Sequence, residues 1–273
     1  MKRPITDIEE LKVLEKNIMK QVHLFCEEKK IRYFLSSGTL IGAVRHKGFI
    51  PWDDDIDIYM PRADYDRFCQ EFDEWGKSRS LYLVTFDSRN HQYDLEYGKV
   101  CDSNTELIEA QFKNKKKIGV YIDIFPLEYI PDHGFAKTWY ILRRKVLYRL
   151  FKSSILDLND PSNKELYSPA KYFLIKLTNR LNSETLFDKI KKMEEKYSAV
   201  PTGLLMNFES GTYYPSSLFE ERILWPFEDE KFYIPKEYDK VLKIAYGDYM
   251  TLPPVEEQQP HHIQDVWRIE KND

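Results

Sequence analysis

Cysteine is scarce in this chain: three residues in 273, Cys26, Cys69 and Cys101. Their odd number and wide, irregular spacing exclude a disulfide scaffold and a thiolate zinc site, so a reduced, cytosolic protein is expected. The first 30 residues lack the apolar run of a signal sequence. Lys2 and Arg3 lead instead into mixed charged residues, with Ile8, Leu11, Leu14 or Glu15, Ile18, Val22 and Phe25 on one face of a helix. No segment is apolar over the length of a membrane span. Repeats and low-complexity tracts are missing too, which removes the solenoid and fibrous classes. What remains is a length and a 42% hydrophobic content that suit one cored, soluble enzyme unit.

Residues 35–58, LSSGTLIGAVRHKGFIPWDDDIDI, concentrate the chemistry. Asp55-Ile56-Asp57-Ile58 alternates acid with β-branched residue, the pattern of a strand with two distinct faces, and puts Asp55 and Asp57 on one face about 6.6 Å apart. Two such carboxylates repel each other unless a cation lies between them, and hard oxygen ligands suit Mg²⁺ or Mn²⁺. Asp53, Asp55 and Asp57 also share the spacing of a calcium-binding EF-hand loop. Ile58 stands where that loop needs glycine and Asp64 where it needs glutamate, which argues against it. Upstream, the apolar run 31–35, the turn Ser36-Ser37-Gly38-Thr39, and Leu40, Ile41 and Val44 at helical spacing read as strand, tight turn, helix. Gly38 lets backbone approach a ligand, Ser37 or Thr39 offers a hydroxyl, and the free N–H groups at the helix start favour a phosphate. Alone this turn reads first as an ordinary helix cap. Beside a carboxylate pair it points to metal-assisted phosphoryl chemistry.

Residues 118–125, IGVYIDIF, are the most strand-like in the chain, and Asp123 sits alone among Ile122, Ile124 and Phe125. A buried acid needs a partner. If this strand lies beside that of Asp55 and Asp57, Asp123 becomes a third metal ligand or the base for an incoming hydroxyl; otherwise it caps a turn. Short strands are expected at 81–86 and 93–100, the second bearing Lys99, either a phosphate or sugar contact or a plain strand-end lysine. Arg45, His46 and Lys47 follow the anion helix and either add positive charge for a phosphate or form loop surface. Glu128 and Glu228 are further acids without an assigned role. The adjacent His261 and His262 suit a single metal poorly.

Between 136 and 182 there are ten basic residues against three acids, +7 in a chain of −4, so the remainder carries −11. Trp139, Tyr140, Leu142, Val146, Phe173 and Leu174 interleave with these bases. Basic amphipathic helices lie on anionic membranes, and Arg143, Arg144 and Lys145 are expected on such a surface, at the inner face of the plasma membrane. The alternative is helices packed on the core with snorkelling side chains.

GTLIGAVRHKGFIPWDDDIDI, ending at Ile58, resembles the signature of the LicD family, itself similar to fukutin and fukutin-related proteins. YIDIFPLEYIP at 121–131 and YGDYMTLPPVEEQQPHH at 246–262 look like further family blocks, so the resemblance reaches nearly the whole chain, with 132–205 less distinctive. It implies an α+β, nucleotidyltransferase-like fold: a mixed β-sheet core flanked by helices, with an added helical segment. The divisions would be a catalytic core at 1–131, a basic helical insertion at 132–205, and strands, helix and tail at 206–273 completing the core. It also implies transfer of a phosphorylated alcohol, typically phosphocholine from CDP-choline, to a hydroxyl of lipopolysaccharide, teichoic acid or capsule, with glycerol or ribitol phosphate as alternative cargoes. In that scheme Asp55, Asp57 and Asp123 hold Mg²⁺ or Mn²⁺, while Ser37, Gly38, Thr39, Arg45, His46, Lys47 and Lys99 bind substrate. The glycan acceptor would be lipid-linked, and no nucleic acid is involved. Two rivals stand beside it: a nucleotidyltransferase that releases pyrophosphate, and a binding protein with a degenerate site, against which the complete set of acids argues.

Overall fold

The computed structural model describes residues 2–86, 93, 95–108, 112–113, 117–160, 163, 167–198, 200–259 and 266–269. After a short strand β1 (Lys2–Pro4), α1 (Ile8–Lys29) starts where the Asp7 side chain accepts from the Glu9 amide and stops at Lys30, whose φ of 56° is left-handed. Glu9 and Glu10 suit the positive start of the helix and Lys29 its negative end. Its apolar face buries Ile18, Met19, Val22 and Phe25, and Phe25 meets Phe68 and Phe72 edge-on at 5.3 and 5.2 Å.

The central elements follow as β2 (Phe34–Leu35), α2 (Ser37–Arg45), β3 (Asp57–Pro61), α3 (Arg62–Lys77), β4 (Leu81–Val84), β5 (Gly98–Asp102), β6 (Thr105–Ile108), β7 (Lys117–Ile118) and β8 (Tyr121–Ile130). The long β8 is the hub. It pairs parallel with β3, Asp57 opposite Asp123, and antiparallel with β5, Lys99 opposite Asp123. One register thus brings three polar side chains from distant sequence to one point. The strand expected at 118–125 is interrupted: at Gly119 a Cβ would collide with the Asp102 backbone, and β7 turns away to pair with β6 in a second sheet. The strand expected at 81–86 is found as the shorter β4; of the one expected at 93–100 only 98–100 are strand, in β5, which runs on to Asp102, while 95–97 form a bend; and the run 31–35 contributes only Phe34 and Leu35 to the sheet. Asp55 precedes β3 and is not part of it.

The basic segment forms α4 (Gly134–Ile155), α5 (Pro169–Thr178) and α6 (Ser183–Ser198). Strands β9 (Leu204–Met206) and β10 (Tyr213–Pro215) then extend the main sheet, β9 pairing with the end of β8. The hairpin β11 (Arg222–Phe227) and β12 (Glu230–Pro235) precedes α7 (Tyr238–Tyr246) and β13 (Val266–Ile269). β13 lies between β1 and β6, giving the second sheet the order β1-β13-β6-β7. The fold is therefore α+β around a mixed sheet, and one core cluster runs from Ile5 to Val266. The three cysteines are free, with Cys26 and Cys101 buried. No helix among the described residues is long and apolar enough to cross a membrane. The pair His261-His262 lies outside the described residues.

Candidate active site

The turn before α2 is stitched to the start of β3. The Ser36 amide donates to the Asp57 carbonyl at 3.0 Å, and the Asp57 amide donates to the Thr39 hydroxyl at 2.8 Å. Thr39 is buried, so its hydroxyl holds the strand in place beneath the helix start. Ser37 has a φ of 50°, the left-handed region that an L-residue enters only under constraint, and opens a helix whose first N–H groups lack partners within it. At Gly38 a Cβ would lie 2.6 Å from Asp53 Oδ2, so any side chain there displaces the Asp53 carboxylate. That contact also places the Asp53 carboxylate against the helix start.

Acids crowd this end of the sheet. Burial first, then the Asp55, Asp123 and Asp53 carboxylates, push Asp57 well above the ordinary carboxylate range, against the opposing effect of a Ser37 hydrogen bond. Asp53 is pushed up to about 7, first by burial and next by Asp55 and Asp54, with Lys12 acting in the opposite sense. A further acid joins from α1. Glu15 is buried, its Oε2 makes no hydrogen bond, and burial followed by Asp55, Asp54, Asp53 and Asp123 raises its carboxyl well above normal. The sequence carried a signal for it, an acid on the apolar face of α1. Lys12 on the same helix is buried too and donates to the Pro51 carbonyl at 2.8 Å, just ahead of the acids.

Lys99 is enclosed at 1% exposure and donates to Asp123 Oδ1 at 2.8 Å, with its ammonium 3.4 Å from the centre of the Tyr121 ring. Register explains the pair, since β5 and β8 set the two residues opposite each other. Ser37, Gly38, Thr39, Asp55, Asp57, Lys99 and Asp123 are thus gathered at one end of the sheet. Arg45 and His46 are placed elsewhere, at the far end of the nine-residue α2, about 12 Å along its axis. Arg45 donates to the His46 ring at 2.9 Å and to the Tyr249 carbonyl at 3.0 Å, joining α2 to the 246–250 block. Lys47 is exposed, its ammonium 4.4 Å from the Trp225 ring centre. Glu228 has a structural role: at the tip of the β11–β12 hairpin it accepts from the Phe49 amide at 3.1 Å while its own amide donates to the Lys47 carbonyl at 2.7 Å.

Glu128 belongs to a different cluster. It pairs with Arg62, which reaches Glu194 at 3.2 Å; Glu194 accepts from Arg144 Nε at 2.9 Å, and Arg144 pairs in turn with Glu96. Arg144, expected on the basic surface, is buried and spans α4, α6 and the segment before β5. Two arginines among three glutamates inside the protein need this alternation, because an unpaired buried charge is costly.

Among the described residues no three carboxylate, thiolate or imidazole groups stand close enough together to enclose one metal ion. The donor chemistry does fit a hard divalent cation. Asp55, Asp57 and Asp123 offer only carboxylate oxygens, and Asp53 and Asp57 are raised first by burial and then by neighbouring carboxylates whose repulsion such a cation would relieve.

A turn that opens a helix is followed here by acids on the neighbouring strands β3 and β8 of a mixed sheet, and the sequence around them is similar to a nucleotidyltransferase domain. Residues 30–160 match the family described as LicD/FKTN/FKRP, nucleotidyltransferase domain. The lipopolysaccharide cholinephosphotransferase LicD of Haemophilus influenzae is 35% identical over 266 residues, 92% of this chain and 94% of that protein. An uncharacterized protein of Rickettsia prowazekii is 32% identical over 121 residues, 43% of this chain and 40% of its own length. The chain belongs to the LicD family.

Proposed function

We propose that this protein transfers a phosphorylated alcohol, phosphocholine first among the candidates, from a CDP-activated donor to a hydroxyl of a cell-surface glycan such as lipopolysaccharide, teichoic acid or capsule. The observation that carries the reading is the near-full-length similarity to a protein named as a lipopolysaccharide cholinephosphotransferase. The site is compatible with it. The first N–H groups of α2, kept open by Ser37 and Gly38, receive phosphate oxygens of the donor. Thr39 fixes the Asp57 backbone, so that Asp57 faces the same end of the sheet as Asp123. Asp55 and Asp57, with Asp123, are the residues that would hold Mg²⁺ or Mn²⁺, which when bound neutralises the donor diphosphate and the departing CMP. Lys99 fixes Asp123 through Oδ1, and Asp123 takes the proton of the acceptor hydroxyl as that oxygen attacks phosphorus. The phosphorus–oxygen bond to CMP breaks, and the new bond joins alcohol phosphate to glycan.

Phosphorus NMR of the full chain with CDP-choline, Mg²⁺ and lipopolysaccharide lacking phosphocholine tests this. Release of CMP with a new phosphodiester on the glycan is the expected result. Release of pyrophosphate from a nucleotide, or a donor left intact with CDP-choline, CDP-glycerol and CDP-ribitol alike, would overturn it.

A further inference from the structure

Helix α4 carries Lys137, Arg143, Arg144, Lys145, Arg149 and Lys152 without a single acid, and α5 carries Lys171 and Lys176, again without one. Arg144 is buried, but large apolar side chains are not. Phe135, Trp139, Leu142 and Val146 recur at intervals of four, three and four residues, which aligns them in one row along α4. They are exposed to 81%, 54%, 53% and 47%. Phe135 and Trp139 lie nearly parallel, ring centres 6.3 Å apart. On α5, Phe173, Leu174 and Leu177 are exposed in the same way.

Beside the α4 row runs a groove of about 450 Å³ between α4 and α6. Its charged lining is Arg143, Lys189, Lys192 and Lys196, its aromatic lining includes Trp139 and Tyr197, and no acid is among its described lining residues. Four cations facing one groove repel one another and gain from an anion between them. A soluble polyanion would be served by the bases alone. An exposed row of phenylalanine, tryptophan, leucine and valine gains only from an apolar medium, and beside a basic groove that medium is a membrane interface.

We propose that this face docks on an anionic membrane, the groove taking phosphate-bearing lipid headgroups while Phe135, Trp139, Leu142 and Val146 enter the interface. The attachment is peripheral, and the helices lie in the plane of the interface. It rests on surface residues alone and stands apart from the chemistry of the acid cluster.

Sedimentation of the full chain with vesicles of phosphatidylglycerol and phosphatidylcholine, compared with phosphatidylcholine alone, tests it. The wild type should bind the anionic vesicles at about 0.05 M salt and be released towards about 0.5 M, where screening shortens to a few Å. The variants K189E/K192E/K196E and F135S/W139S alter exposed positions, so their melting temperatures should match wild type. Each should lower vesicle partitioning by about tenfold or more. Inorganic phosphate at matched ionic strength should not compete. Three results would overturn the proposal: no binding of wild type to anionic vesicles at low salt, full binding by F135S/W139S, or displacement by phosphate alone, which would make the groove a site for a soluble anion.

Discussion

Two groups of buried or half-buried carboxylates in this protein differ in their partners. Glu96, Glu128 and Glu194 lie behind the sheet, each against Arg62 or Arg144, so every negative charge has a guanidinium partner supplied by the chain. Asp53, Asp55, Asp57 and Glu15 lie close to one another beside the start of β3, and burial first, then their mutual repulsion, raises the carboxyls of Asp53, Asp57 and Glu15. In the first arrangement burial raises Glu96 and Glu128 as well, Glu128 to about 7, but the charges of Arg144 and Arg62 oppose the rise, and the ion pairs tie α4 and α6 to the sheet. The second gathers several carboxylates at one point, and the divalent cation proposed above would relieve their mutual repulsion. The pairing of charge thus separates architecture from chemistry.

The largest expected break in that comparison is in turnover. Asp57→Asn or Asp55→Asn should lower metal-dependent transfer by about a thousandfold or more. Neither should destabilise the fold, since removing one of several like charges relieves repulsion. In the paired cluster the outcome should be reversed. Arg144→Met strands Glu96 and Glu194 and should cost about 3–5 kcal/mol in denaturant unfolding, and adding Glu96→Gln and Glu194→Gln should restore part of it. Turnover per folded molecule should change little. Gly38→Ala comes next, because its Cβ would lie 2.6 Å from Asp53 Oδ2; turnover should fall about tenfold or more with a smaller loss of stability.

The smallest expected effect is on pH dependence. Asp53 has its carboxyl raised from 3.8 to about 7, so the folded, metal-free protein binds a proton more tightly there than the unfolded chain does. Its contribution is therefore most favourable below the ordinary carboxylate range and is lost as pH rises through about 7. Thermal melts between pH 4 and pH 8 should show that decline, and Asp53→Asn should flatten it.

Much of the candidate site's geometry could be read from the sequence because it is local. The turn at Ser36–Thr39, α2 and the acids of 53–57 occupy one short stretch, and the alternation around Asp123 marked a second strand that β3 meets in parallel register. What escaped depends on contacts between distant residues. Lys99 meets Asp123 through the β5–β8 register, Glu15 reaches the acids from α1, and Arg144 finds Glu96 and Glu194 about fifty positions away in either direction. Helical periodicity placed Arg144 among surface bases because it reports a face and not the partners buried against it. The expected strand also divides at Gly119, where the Asp102 backbone passes so near that only glycine fits, because β7 pairs with β6 and β8 with β5.

The most direct measurement is a pair of calorimetric Mg²⁺ titrations at pH 8, wild type beside Asp57→Asn, with melting temperature recorded in the presence and absence of the ion. Mg²⁺ should bind and stabilise the wild type, while the variant should melt at or above the metal-free wild type and show weak or no response to the ion. Equal Mg²⁺ affinity and equal stabilisation in both proteins would contradict the claim that the carboxylates around Asp57 form the cation-dependent centre.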